Sequence, residues 1–379
     1  MNAMNEKMQQ AMRLMRSGDL QAATRALQER LATNRPASVW PAEAPLASRG
    51  FSASVSADVA NCIDGEFCVV ECEEPSAAPS RTAADGSDSP FLTEHFTSSA
   101  GALDYKLYIP AQLKGSKAPL LLMLHGCTQS PDDFALGTRM NRLAREHGYV
   151  VAYPQQSTAR NQNRCWNWFQ GSDQQRGHGE PAMLAALTRH LVAQHGLDER
   201  RVYVAGLSAG GAMAAVLAST HPDVYAAIGV HSGLPIGLAS DMPSAFAAMR
   251  TGQSKTPRRA VESAKIPVPA IVFHGDADKT VHPRNGVGVI AQSLGAVGAS
   301  DGGRFTTKAE NGVADGGRRY TRTLHLQDGK VSAEHWVIHG AAHAWSGGDS
   351  AGSYTDPTGP DASAQMLQFF ASCVLPSRS

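Results

Sequence analysis

From Pro90 onward, short apolar runs alternate with stretches of helical periodicity. Phe91–Phe96 and Tyr105–Ile109 alternate apolar and polar residues, as half-buried strands do. Ser98–Gly101 supplies the turn of an antiparallel hairpin. APLLLMLHG reads as a buried strand, and YVVAYP, VYVAG, AAIGV, PAIVFHG and EHWVIHG read as strands of similar length. Between and after them the spacing predicts helices over Phe134–Glu146, Pro181–His195, Ala209–Ser219 and Asp361–Cys373. This alternation predicts an α/β domain over residues 91–379, a mostly parallel sheet with helices on both faces, opened by the antiparallel hairpin.

The preceding residues have a different texture. Met4, Met8, Met12 and Met15 recur at helical spacing, Ser17-Gly18-Asp19 breaks the pattern, and Leu20, Ala23, Leu27 and Leu31 resume it. A helical hairpin is expected over residues 1–33. One such pair cannot bury its own apolar faces, so it is expected to dock on the main domain, on a granule or on a second subunit. Residues 34–90 are rich in Pro, Ala, Ser and Asp without periodicity, and a disordered linker is expected there.

Composition narrows the function classes. Of 379 residues, 42% are hydrophobic and 18% charged, and the formal net charge is +0. A globular core is affordable, and neither a nucleic acid nor an anionic membrane is an expected partner. No apolar run approaches membrane-span length. The first residues lack the basic start and apolar core of a secretory signal, so a cytoplasmic location is expected. Cys62, Cys68 and Cys72 match no zinc spacing, and the 14 histidines show no HExxH pattern. No metal and no cofactor is expected.

Polar chemistry gathers at four strand ends: His125–Gln129, Gly206–Gly210, His274–Asp278 and His339–His343. In parallel sheets such carboxyl ends are where functional groups collect. Gly206-Leu207-Ser208-Ala209-Gly210 is a Gly-x-Ser-x-Gly turn between a strand and a helix, which lifts a serine hydroxyl above the sheet. A nucleophilic serine needs a base, and the base an orienting carboxylate. The order Ser208, Asp278, His343 suits this sheet class. Asp276 is the competing acid, and His274 and His339 are read as structural histidines. Two backbone N–H donors are required for an oxyanion. Ala209 follows the nucleophile, and Cys127 lies in the loop after an early strand, with Thr128 as its alternative.

These residues sit in segments that together resemble the polyhydroxybutyrate depolymerase family of α/β-hydrolase esterases. The matching segments are LHGCTQSPDDFA, NRCWNWF, RVYVAGLSAGGAMAAVLASTHPDVYAAIGVHSGLP, FHGDADKTV, and HGAAHAWSGG with GSYTDPTGPDAS. The resemblance covers about residues 92 to 375. It implies a serine esterase acting on poly- or oligo(3-hydroxyalkanoate) esters, with Ser208, Asp278 and His343 as its triad. Related esterases cleave feruloyl or acetyl esters of plant polysaccharides, which leaves those substrates open, as it leaves a non-catalytic binding protein on the same scaffold. Many family members are extracellular, the alternative location. Trp166, Trp168 and Trp345 lie beside the catalytic segments and are expected to line a cleft for an apolar substrate. Cys127 and Cys165 fall in two matching segments. A disulfide between them and a pair of free thiols both remain open.

Overall fold

The computed structural model describes residues 90–113, 117–252, 266–301 and 305–377. The expected helical hairpin over 1–33 and, apart from Pro90, the expected linker over 34–90 lie outside the described residues. The chain opens with the hairpin of β1 (Phe91–Ser98) and β2 (Gly101–Tyr108), closed where Ser98 faces Gly101. Six strands then run parallel: β3 (Leu120–Leu124), β4 (Val150–Pro154), β5 (Val202–Leu207), β6 (Ala227–His231), β7 (Ala270–Gly275) and, later in the chain, β10 (Lys330–Ile338). Before β10 come the antiparallel strands β8 (Thr306–Val313) and β9 (Arg319–Gln327). All ten form one sheet in the order β1-β2-β4-β3-β5-β6-β7-β10-β9-β8.

The helices are α1 (Pro131–Thr138), α2 (Met140–His147), α3 (Gly179–His195), α4 (Ala209–Thr220), α5 (Met242–Thr251), α6 (Arg284–Asp301) and α7 (Ala362–Ala371). Strand alternation sorts the core into two layers. Leu120, Leu122 and Leu124 of β3 face one way, with Val204 of β5, and meet Leu184, Leu187 and Met213 of α3 and α4. Leu121 and Met123 face the other way, with Tyr203 and Ala205, and meet Phe134, Leu143 and Phe370 of α1, α2 and α7. Helices therefore cover both faces, as the alternation predicts.

Several features differ from the sequence expectation, among them helix α5 and the short strand pair Trp345–Ser346 with Thr355–Asp356, for which no element is expected. The single helix expected over Phe134–Glu146 is two helices, α1 and α2, separated at Arg139, whose φ of 55° is left-handed. The break falls at a residue that is neither Gly nor Pro, two residues after Gly137, and the Arg139 guanidinium there is held by Gly347 O and, at 3.0 Å, by Asp361 Oδ2. Asp361 also caps α7, accepting from Ala364 N at 3.0 Å. Helix α6 and the β8–β9 pair were not anticipated. Strand β8 is exposed along most of its length and carries the Lys308–Glu310 ion pair, so it lacks the apolar run that marks the inner strands. A charged, exposed strand suits a sheet edge.

Strand β3 lies between β4 and β5, so the chain leaves it in one direction and returns on its other side. This reversal opens a crevice beyond the carboxyl ends of β3 and β5. The His125–Gln129 loop leaves one of these ends and Ser208 the other.

Candidate active site

Ser208 joins β5 directly to α4 with φ 57° and ψ −117°, a conformation that L residues adopt only under constraint. Its N–H donates to His231 O at 2.9 Å. Gly206 and Gly210 explain how the turn closes. A Cβ on Gly206 would lie 2.6 Å from Gly210 O and 2.7 Å from Leu124 O. A Cβ on Gly210 would lie 2.6 Å from the Leu124 carbonyl carbon and 2.7 Å from His125 O. The first turn of α4 thus rests on the last carbonyls of β3. This contact brings the start of α4, with Ala209, against the His125–Gln129 loop. Gly210→Ala is expected to destabilise the fold by about 3 kcal/mol or more, because the obstructing atoms are backbone and cannot swing aside. Chemical denaturation followed by circular dichroism measures it.

Asp278 follows β7 and His343 follows β10, and the fold brings them together. His343 Nδ1 lies 2.7 Å from Asp278 Oδ2. The other carboxylate oxygen accepts Thr280 N and Val281 N, both at 2.8 Å. Burial raises the Asp278 carboxyl, but hydrogen bonds from His274 and His343 outweigh it and hold the group well below the usual carboxylate range. Asp276 pairs elsewhere. It accepts His339 Nδ1 at 2.9 Å and Gly340 N at 2.6 Å, which pins the start of the loop carrying His343.

Two further histidines pack beneath this pair, His231, which the sequence reading did not single out, and His274. His274, read as a structural histidine, donates Nε2 to Val281 O at 2.8 Å and so holds the Asp278 loop, with the same nitrogen 3.5 Å from Asp278 Oδ2. His231 at the end of β6 accepts Ser346 N on Nε2 at 2.9 Å and stacks between Phe273 and Trp345. Burial, with His274 and His343 nearby, pushes its pKa far below the ordinary histidine value, so it stays neutral. The only sequence signal for either was a histidine at the end of a buried strand.

The loop after β3 is held from several sides. Gly126 N donates to Gln129 Oε1 at 2.9 Å, Thr128 N to Asn163 O at 2.7 Å, and Gln129 N to Gly126 O at 3.3 Å. These bonds use the N–H groups around Cys127, including that of Thr128, the alternative oxyanion donor, and leave out that of Cys127. Cys127 is disulfide-bonded to Cys165, which settles the alternative between a bridge and free thiols. Behind the loop, burial pushes His125 down to about 4. Its Nε2 accepts Gln156 N at 3.2 Å, so Nδ1 carries the proton toward Gly126 O at 2.8 Å. Gln156 also donates to Cys165 O at 2.9 Å and to Glu180, a carboxyl that burial pushes up to about 7. The disulfide closes a separation of 38 residues. Replacing both cysteines by serine is expected to lower stability by about 3–4 kcal/mol. The shift in denaturant midpoint measures it.

The cleft-lining role expected of the tryptophans is corrected by their burial. Trp166, Trp168 and Trp345 are 0%, 5% and 1% exposed. Trp166 donates to His125 O at 3.2 Å beneath the loop. Trp345 donates to Ser363 Oγ at 3.0 Å and stacks on His231 beneath the histidine loop. Trp168 meets Phe169 edge to face. Indole rings with their faces covered by protein support the loops from below. Among the described residues no His, Cys, Asp and Glu cluster could hold a metal ion, and no helix is long and apolar enough to cross a membrane.

This geometry can be set beside known proteins. The family model described as Esterase PHB depolymerase matches residues 103–313, more than half of the chain. Poly(3-hydroxyalkanoate) depolymerase C of Paucimonas lemoignei is 37% identical over 219 residues, 55% of this chain and 52% of its own. Poly(3-hydroxybutyrate) depolymerase of Ralstonia pickettii is 31% identical over 283 residues, 68% of this chain and 55% of its own. The chain spans about half the length of these two curated relatives. Among solved structures, an acetyl xylan esterase from Aspergillus awamori superposes with a TM-score of 0.58 at 19% identity, over 74% of this chain and 99% of its own. That likeness shows the α/β-hydrolase fold.

Proposed function

Because the chain belongs to the esterase PHB depolymerase family, we propose that it is a serine ester hydrolase cleaving poly- or oligo(3-hydroxyalkanoate) esters through an acyl-enzyme. The observation that carries this reading is the Asp278–His343 hydrogen bond of 2.7 Å, at the same edge of the sheet as the strained Ser208 turn. With Nδ1 committed to Asp278, His343 offers Nε2 as the base. His343 takes the Ser208 proton as the hydroxyl attacks the ester carbonyl. The N–H groups of Ala209 and Cys127 hold the oxyanion. His343 then protonates the leaving alcohol, and in the second half-reaction activates the water that releases the acyl group. Asp278 stays ionised throughout and stabilises the imidazolium.

The substrate class is the one named for the two depolymerases. A second reading is an acetyl or feruloyl ester of a polysaccharide, and the acetyl xylan esterase that shares the fold supports its acetyl form. The Cys127–Cys165 disulfide favours an oxidising compartment, and so the extracellular alternative over the cytoplasmic one.

The test combines a label and a substrate panel. A fluorophosphonate is expected to add once, at Ser208, as read by intact mass and peptide mapping. Absence of labelling would sink the serine mechanism and leave a non-catalytic protein on this scaffold. Release from 3-hydroxybutyrate oligomers, acetylated xylan and feruloylated sugars then ranks the substrates. Faster release from either sugar ester would replace the polyester reading with the second one.

A further inference from the structure

The segment GSYTDPTGPDAS follows the catalytic histidine loop, and the triad leaves it without a role. The structure brings it to the oxyanion loop. Trp345 and Ser346 (β11) pair with Thr355 and Asp356 (β12), so the chain after His343 folds back on itself. Trp345 N donates to Tyr354 O at 2.6 Å. Ser353 is bolted to α1, its N–H donating to Asp133 Oδ1 at 2.8 Å and its hydroxyl to Asp133 Oδ2 at 2.5 Å. Gln129 of the oxyanion loop donates to Ser353 O at 3.1 Å while accepting Gly126 N. The backbone on both sides of Tyr354 is therefore fixed.

Tyr354 itself has a left-handed φ of 52° and is 48% exposed. Its hydroxyl lies 3.3 Å from Thr128 Oγ1. Thr128 Oγ1 already donates to Cys127 O at 2.6 Å, so the phenol is the donor in this pair. The ring thus has one end at the residue next to Cys127 and its body toward solvent. The tryptophans near the site are covered, whereas this aromatic ring is open, fixed and adjacent to the oxyanion loop. Exposed aromatics held at both ends present apolar contact area with little ordering cost.

We propose that Tyr354 is a specificity-determining residue whose ring packs against the substrate unit flanking the scissile ester, favouring multi-unit hydroxyalkanoate esters over acetyl esters. This rests on the serine-esterase reading above. A single acetyl group bound at the oxyanion is too small to reach past Thr128, whereas a neighbouring hydroxyacyl unit has an apolar face to lay on the ring.

The readout is the ratio of kcat/KM for a 3-hydroxybutyrate trimer to that for p-nitrophenyl acetate. Tyr354→Ala is expected to lower this ratio about fivefold to tenfold, mostly through KM of the trimer. Tyr354→Phe keeps the ring and is expected to hold the ratio within about twofold of wild type. Tyr354→Asn suits the left-handed backbone and replaces the alanine variant if that one does not fold. An unchanged ratio in the alanine or asparagine variant overturns the proposal, because equal losses on both esters mean a structural role only. A phenylalanine variant as impaired as alanine overturns it too, since the hydroxyl and not the ring would then matter. If wild type hydrolyses neither ester, the esterase reading itself fails and the proposal with it. That outcome is distinct from an active wild type whose ratio ignores Tyr354.

Discussion

Ser208→Ala is expected to lower kcat on p-nitrophenyl butyrate by about 10⁵-fold, with KM changed by less than about threefold. The reason lies in how the residue is held. Its backbone is set by the Gly206–Gly210 contact and by the Ser208 N to His231 O bond, neither of which involves the hydroxyl. Alanine meets the same cost as serine at φ 57°, so the turn and the fold survive. What is lost is the nucleophile alone. The N–H groups of Ala209 and Cys127 still polarise a bound carbonyl, so a small residual rate above buffer is expected. An unshifted thermal midpoint would separate lost chemistry from lost structure. Activity within about a hundredfold of wild type would mean that Ser208 is not the nucleophile, whatever the strain in its backbone.

Much of this site was legible along the chain because its parts follow buried strands. VYVAG and PAIVFHG are mostly apolar and EHWVIHG is strand-like, and each is followed within a few residues by Ser208, Asp278 or His343. A polar residue at the end of such a run has one place to go, the carboxyl edge of the sheet. The choice between Asp278 and Asp276 was harder, because the two lie two residues apart on one loop. In the structure each carboxylate faces a different histidine, His343 or His339. That pairing depends on the register of β10 against β7, which local sequence does not carry.

The less legible parts depend on tertiary contact. Proximity in sequence placed three tryptophans near catalytic loops, and only packing decides whether an indole lies over a loop or under it. Trp166 and Trp345 lie under, where their N–H groups find His125 O and Ser363 Oγ. The break at Arg139 has only a weak sequence signal, Gly137 two residues before it, and its guanidinium is held by Gly347 and Asp361 more than 200 residues away. That His274 reaches Val281 O and lies near Asp278 depends on the Asp278 loop curling back over it. Tyr354 stood out only as part of a family-like motif, and its place beside Thr128 follows from the β11–β12 pairing.

The same loop geometry gives Asp278→Asn a specific outcome. It is expected to reduce kcat by about 10⁴-fold near neutral pH while the protein stays folded. In the wild type, Oδ1 accepts two backbone N–H groups, from Thr280 and Val281. An asparagine must keep its oxygen on that side, since an amide N–H₂ there would face two donors. Its N–H₂ is thereby forced toward His343 Nδ1, with His274 Nε2 also nearby. A donor at that position makes Nδ1 the acceptor and moves the imidazole proton to Nε2. The nitrogen that has to take the Ser208 proton is then already protonated, and the base is switched off with almost no change in shape. The mutation also marks the acid limb of stability. The Asp278 carboxyl is depressed in the fold, so its contribution is present above the unfolded value of about 4 and lost as pH falls through the lower folded value. Denaturant unfolding from pH 7 to pH 3 is therefore expected to show a shallower acid decline in the asparagine variant than in wild type. Raising the pH should recover part of the lost rate, as hydroxide substitutes for the missing base. A variant retaining more than about a tenth of wild-type kcat at pH 7 would show that Asp278 does not set the His343 tautomer.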